Sequence, residues 1–289
     1  MMGITINTNV QSLSAQRVLG GNTKALGKSL EKLSSGYRIN RASDDAAGLQ
    51  ISEGLRSQIR GSDQANANVQ DGINLLNTTD GALETITNNL QRVRELAVQG
   101  GNDTLSTDQR SAIDKEIQQL AKDVSRIANA SQFNKKQLLD GTTTTLKIQV
   151  GANVSSSTNT IDLATTGTNP FGDSRATSLG LLGAADAVRL SVKSNASALK
   201  SISLVDAAIQ SVQNRRSAIG ALTNRLDGAS TNLQISSENF SASESRIRNA
   251  DIAKESATLT KNQVLQQASA QVLGQANQGS QLALSLLRG

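Results

Sequence analysis

From Leu55 to Ala97, aliphatic side chains recur at steps of three and four: Leu55, Ile59, Val69, Ile73, Leu76, Leu83, Ile86, Leu90, Val93 and Ala97. Only a helix gathers such a spacing onto one face. A helix this long cannot bury its stripe by itself, so the chain must supply partners of matching length. The stripe lapses at Asn66 and Asp80, and Gly100-Gly101 ends it, since glycine lets the backbone leave a helix without steric cost. A second helix is predicted from Ser106, which with Gln109 has the form of a capping box. Its stripe is Ile113, Ile117, Leu120, Val124 and Ile127, fading at Asn129–Asn134. The short link folds it back on the first helix. After residue 184 the period returns as Ile202, Val205, Ile209, Val212, Ile219, Leu222, Leu226, Ala229, Leu233 and Phe240, and Arg216 stands at the one missing step. Weaker seams mark the two ends. They are Leu19, Leu26 and Leu33 near the start, then Leu265, Val272, Gly279 and Leu286 with Ala268 and Leu282 between them.

The core must be aliphatic, because 289 residues include only four aromatics, Tyr37, Phe133, Phe171 and Phe240, and no Trp. Cys and His are also absent. That excludes disulfides, thiol nucleophiles and the usual zinc ligands, and it removes the commonest general acid–base side chain. No enzyme and no cofactor is expected. The paired carboxylates Asp44-Asp45 have no His or third acid beside them to make a metal or acid–base site. They read, with Ser43, as the cap of the helix that opens at Ala46-Ala47, where acids favour the N-terminal dipole. Net charge is +5 without a Lys/Arg cluster, and aromatics for base stacking are lacking, so no nucleic-acid binding is expected.

Met1 to Gln16 and Asn262 to Leu287 contain no charged side chain. Asn, Gln and Ser interrupt every turn, so neither is a membrane span, which needs ~20 predominantly apolar residues. The start also lacks the basic and apolar segments of a secretory signal. Two weakly amphipathic helices that pack against other protein are expected, because a buried charge there would be costly.

The middle changes character. Residues 142–178 are rich in Thr, Ser, Gly and Asn and hold the single proline, Pro170. Leu146–Val150 alternates apolar and polar residues, Gly151-Ala152-Asn153 turns, and Thr160–Leu163 is a partner strand, so a small β-hairpin in an exposed loop is predicted. The fold class expected is mainly α: a long antiparallel helical rod or coiled coil with a small β-hairpin insert.

Five blocks, in order, resemble the bacterial flagellins. Residues 33–48, LSSGYRINRASDDAAG, are similar to the family's LSSGLRIN…DDAAG signature, and residues 90–99 to its LQRVRELAVQ helix. The others are Phe133-Asn134 through Leu138–Gly141 with Ile148–Asn153, then Glu244–Asp251, then Leu284–Arg288. Tyr37, Leu259, Gly279-Ser280 and the final Gly289 depart from the family pattern. The hook–filament junction protein shares such terminal helices, but the intact residues 90–99 and the terminal Leu-Leu-Arg favour flagellin. A secreted coiled-coil adhesin is the alternative from another class.

The resemblance implies a subunit that polymerises with itself into the filament used for swimming. Residues 1–33 and 250–289 would form the inner, filament-core domain, packed through Leu19, Leu26, Leu33, Leu265, Ala268, Val272, Leu282 and Leu286. Residues 34–45 would be a connector, and 46–249 an outer helical shell containing the 142–178 insert. It further implies an extracellular location reached through the flagellar type III export channel without a cleaved signal peptide. The implied partners are an export chaperone at the C-terminal helix, the filament cap and hook-junction proteins, and the host Toll-like receptor for flagellin. Residues matching the receptor-recognised surface are Arg92, Leu96 and, on the next helix, Glu116.

Overall fold

The computed structural model describes residues 8–154, 158–164, 169–182 and 189–286, with side chains to residue 279. Among them are five helices: α1 (Val10–Ser35), α2 (Ala46–Gly100), α3 (Thr107–Ala130), α4 (Asn195–Arg248) and α5 (Ile252–Leu286). Two short antiparallel ladders lie between α3 and α4: β1 (Gln132–Phe133) with β2 (Lys136–Gln137), and β3 (Lys147–Gln149) with β4 (Thr160–Asp162). The chain is mainly α, and the helices follow the expected stripes. Two compact units are built from it, one of residues 1–57 and 239–289, the other of residues 58–238. Their limits fall inside α2 and α4, whereas the sequence suggests a limit at the 34–45 connector.

In the first unit, α1 and α5 lie antiparallel. Asn9 donates to the Ala276 carbonyl at 2.9 Å, Asn22 to Ser269 Oγ at 2.7 Å, and Asn262 to Ser29 Oγ at 3.3 Å. α1 opens on Asn9, whose side chain accepts from Ser12 N, and closes on Gly36 at φ 74°. That left-handed conformation costs glycine nothing and an L side chain about 1 kcal/mol or more. The chain then crosses the α4–α5 junction: Arg38 N donates to Arg248 O at 2.6 Å and Ala250 N to Gly36 O at 2.9 Å. The Arg248 guanidinium lies 4.6 Å from the centre of the Tyr37 ring and pairs with Glu53 at 2.7 Å.

The cap of α2 is Asp45, not Ser43 or Asp44. Asp45 Oδ1 accepts from Gly48 N at 2.9 Å, the N3 position of the helix. The chain turns one residue earlier, with Asp44 N bonded to Arg41 O. Asp44 is thereby aimed back into the loop, where it accepts from Arg41 N at 3.1 Å and pairs with Lys28.

The second unit holds the aliphatic core. Leu76, Leu83, Leu90 and Val93 of α2, Ile117 and Val124 of α3, and Val205, Val212 and Leu226 of α4 are all fully buried. The Ser106–Gln109 capping box forms as expected, worth about 1 kcal/mol. Where α3 fades, a tight hairpin not foreseen in the sequence appears: Asn134 and Lys135 both take positive φ, 48° and 65°, the geometry of a two-residue turn. The insert is also not the exposed loop expected. Ile161, Leu163 and Phe171 are buried, with Leu138 and Leu139 just ahead of it. β3 lies along α2, where a Cβ on Gly61 would stand 2.6 Å from Ala152 Cβ, and Asn68 Nδ2 donates to Gln149 O. Arg215 of α4 donates to Gly172 O at 2.7 Å and to Ser174 Oγ. Polar composition hid this docking because few apolar side chains anchor the insert and much of the rest is held through backbone carbonyls, those of Gln149 and Gly172.

Candidate assembly and recognition surfaces

The α1–α5 pair is built inside out. The residues turned inward on α1 follow Ser12, Ala15, Leu19, Asn22, Leu26 and Ser29, and on α5 Asn262, Gln266, Ser269, Leu273 and Ala276. Small and polar side chains dominate this seam, joined by bonds such as Ser12 Oγ to Asn277 Oδ1 at 2.8 Å. Leu19, Leu26 and Leu273 share it, but many of the large aliphatics of these two helices face out. Val18 is 51 % exposed, Leu265 40 % and Val272 55 %, with Val10, Leu13, Leu30 and Val264 also exposed. A groove of about 730 Å³ runs between the two helices, lined by Ala15, Val18, Leu265, Ala268 and Val272 among others.

The sequence-selected packing residues therefore divide. Leu19, Leu26 and Leu33 are half-buried on the inner stripe, whereas Leu265, Ala268 and Val272 are exposed and line the groove. The side chains of Leu282 and Leu286 lie outside the described residues. Sequence reading missed Asn262, Ser269 and Asn277 because it followed large aliphatics. The signal that marks them is the recurrence of Asn, Gln and Ser at three- and four-residue steps through the same helix.

In the second unit, Arg92 and Glu116 come together as expected, at 3.1 Å across α2 and α3, and Glu95 joins Arg92 at 3.2 Å. The hydrogen bonds that Arg92 donates to Glu95, and next to Glu116, hold the guanidinium pKa above its ordinary value. Leu96 is different. It is 2 % exposed, inside the core. Four residues separate it from Arg92, a rotation of about 40° on a helix, and with α3 packed on that side this is enough to take the side chain out of solvent.

The comparisons with known proteins agree along the chain. The bacterial flagellin N-terminal helical region matches residues 6–144 and the C-terminal helical region matches residues 202–287. The chain belongs to the flagellin family. It is 44 % identical over 283 residues to a flagellin of Halalkalibacterium halodurans, covering 98 % of this chain and 99 % of the relative. It is 42 % identical over 306 residues to a flagellin of Bacillus subtilis, with the same coverage. A crystal structure of Bacillus cereus flagellin is similar at 32 % identity and a TM-score of 0.47, over 58 % of this chain and 88 % of that one. Among the described residues of this flagellin, no helix is long and apolar enough to cross a membrane.

Proposed function

We propose that this chain is a structural, non-enzymatic subunit that polymerises with its own copies into an extracellular flagellar filament for swimming. One observation carries the reading: α1 and α5 satisfy their polar groups against each other and leave Val18, Leu265 and Val272 in water. A two-helix unit with a polar seam gains little from its own folding. Covering the exposed aliphatics contributes ~25 cal/mol per Å². A relative at 39 % identity over 293 residues bears the name flagellar filament 33 kDa core protein, in Treponema phagedenis, which supports the same role here. Residues 1–33 and 250–289 are then the filament core and 46–249 its outer shell.

The finer partners follow from the same face. An export chaperone would shield the α5 aliphatics before the subunit passes the type III channel, and the cap and hook-junction proteins would meet the two ends of the polymer. The Arg92–Glu116 pair is the surface we assign to the host Toll-like receptor, without Leu96 as a contact. Seeded polymerisation of purified subunit, followed by negative-stain microscopy, tests the main reading. Long tubes are expected. Persistent monomers, or caps at filament ends only, would favour the junction protein or an adhesin instead.

A further inference from the structure

The lapses in the two long stripes are paired. On α2 the polar positions Asn66, Asp80 and Arg94 fall fourteen residues apart. Each meets a polar residue of α4: Ser230 Oγ donates to Asn66 Oδ1 at 2.7 Å, Arg216 forks onto Asp80 at 2.8 and 3.1 Å, and Arg94 pairs with Asp206 at 2.6 Å. Glu84 stands 3.7 Å from Arg216 on the outer side. Asp80 and Arg216 are each about one-third exposed, at 34 % and 33 %, so their charges are partly withdrawn from water.

We propose that Asp80 and Arg216, supported by Asn66 and Ser230, are register-specifying residues that select one alignment of α2 on α4. An uninterrupted aliphatic seam is nearly degenerate to a slip of seven residues, because every heptad then meets an equivalent one. A single polar position in such a seam breaks the degeneracy. Here a one-heptad slip in one direction sets Asp80 against Ile209 and Arg216 against Ile73. In the other direction it sets them against Thr223 and Thr87, which offer no opposite charge. A two-heptad slip brings Arg216 onto Arg94 in one direction and Asp80 onto Ile202 in the other. Only the observed register gives both charges a counter-ion. The inference does not depend on what the filament face binds.

The absence of cysteine makes register directly measurable in the full chain. Asp63→Cys with Ser237→Cys reports the native alignment, since these side chains are bonded at 3.0 Å. Gln70→Cys with Thr223→Cys reports the one-heptad slip, being ~10.5 Å apart along the axis in the native register, beyond disulfide reach. In the otherwise unaltered chain, oxidation should close the first pair only. With Asp80→Leu and Arg216→Leu added, the slipped pair should close at least tenfold faster. An unchanged rate in a variant that keeps its helical circular dichroism would overturn the proposal. If that variant does not fold, Asp80→Arg alone should slow the native cross-link several-fold and added Arg216→Asp should restore it. Failure of restoration would equally overturn the proposal.

Discussion

Asp80 and Arg216, 136 residues apart in the chain, meet in a forked ion pair across α2 and α4. Each is a place where an otherwise aliphatic stripe fails, and the two failures face each other. The pair raises the Arg216 pKa, chiefly through the hydrogen bond to Asp80. Removing the acid takes both forked hydrogen bonds from a cation two-thirds withdrawn from solvent and leaves it only the longer, 3.7 Å pairing with Glu84. Asp80→Ala should cost about 1–2 kcal/mol, whereas Arg94→Ala, at a half-exposed pair, should cost less than about 1 kcal/mol. Urea titration of both variants measures the difference, and equal losses would show that burial does not matter at this site.

Leu96 and Arg92 separate stability from recognition. Leu96→Ala empties space in a fully packed core and should destabilise by about 2–4 kcal/mol. Arg92→Ala should move stability by no more than about 0.5 kcal/mol yet weaken receptor activation by monomer, by more than about 1 kcal/mol if it is a hot spot. Thermal melts and receptor-reporter cells read the two effects independently. Full signalling by a folded Arg92→Ala would remove the receptor surface from the proposed function and leave the structural role intact.

At the groove of the first unit, Val272→Asp places a carboxylate where the side chain is already 55 % exposed. The monomer should melt as before, because the charge stays hydrated. Assembly should fail, since packing against a neighbour would bury it unpaired. Deleting residues 262–289 should likewise abolish filaments while leaving the core of the second unit folded. Normal tubes from either variant, seen by microscopy, would exclude this face from the polymer.

Acid should loosen the first unit at its connector. Hydrogen bonds from Arg248 first and Arg56 next lower the Glu53 pKa, and a backbone bond from Arg41 leads the causes that lower that of Asp44. A carboxylate depressed in the folded state contributes stability above its unfolded pKa, roughly 4. That contribution is lost as pH falls through the lower folded value. Amide protection factors at residues 36–41, that is, exchange rates corrected for the intrinsic pH dependence, should therefore fall below about pH 4 and stay flat between pH 5 and 8. Glu53→Gln should already show part of that loss of protection at neutral pH. Protection independent of pH down to 3 would mean that these bonds do not hold the connector.

Much of this was legible in the residues themselves. The 3–4 spacing dictated each long helix, Gly100-Gly101 and the Ser106–Gln109 box set their ends, and the alternation at Leu146–Val150 marked β3. These are local signals, written in the segment that obeys them. What only the tertiary structure decided depends on which segment lies opposite. Asp80 is a defect in α2 until Arg216 faces it, and Leu96 passes for a surface residue until α3 covers that side. Val272 reads as core by its heptad and proves exposed, because hydrogen bonds of Asn9, Ser12, Asn22 and Ser29 on α1 hold the Asn262, Ser269 and Asn277 side of α5 against it instead. One-dimensional periodicity names a face. The partner's shape and hydrogen-bonding groups determine whether that face is buried.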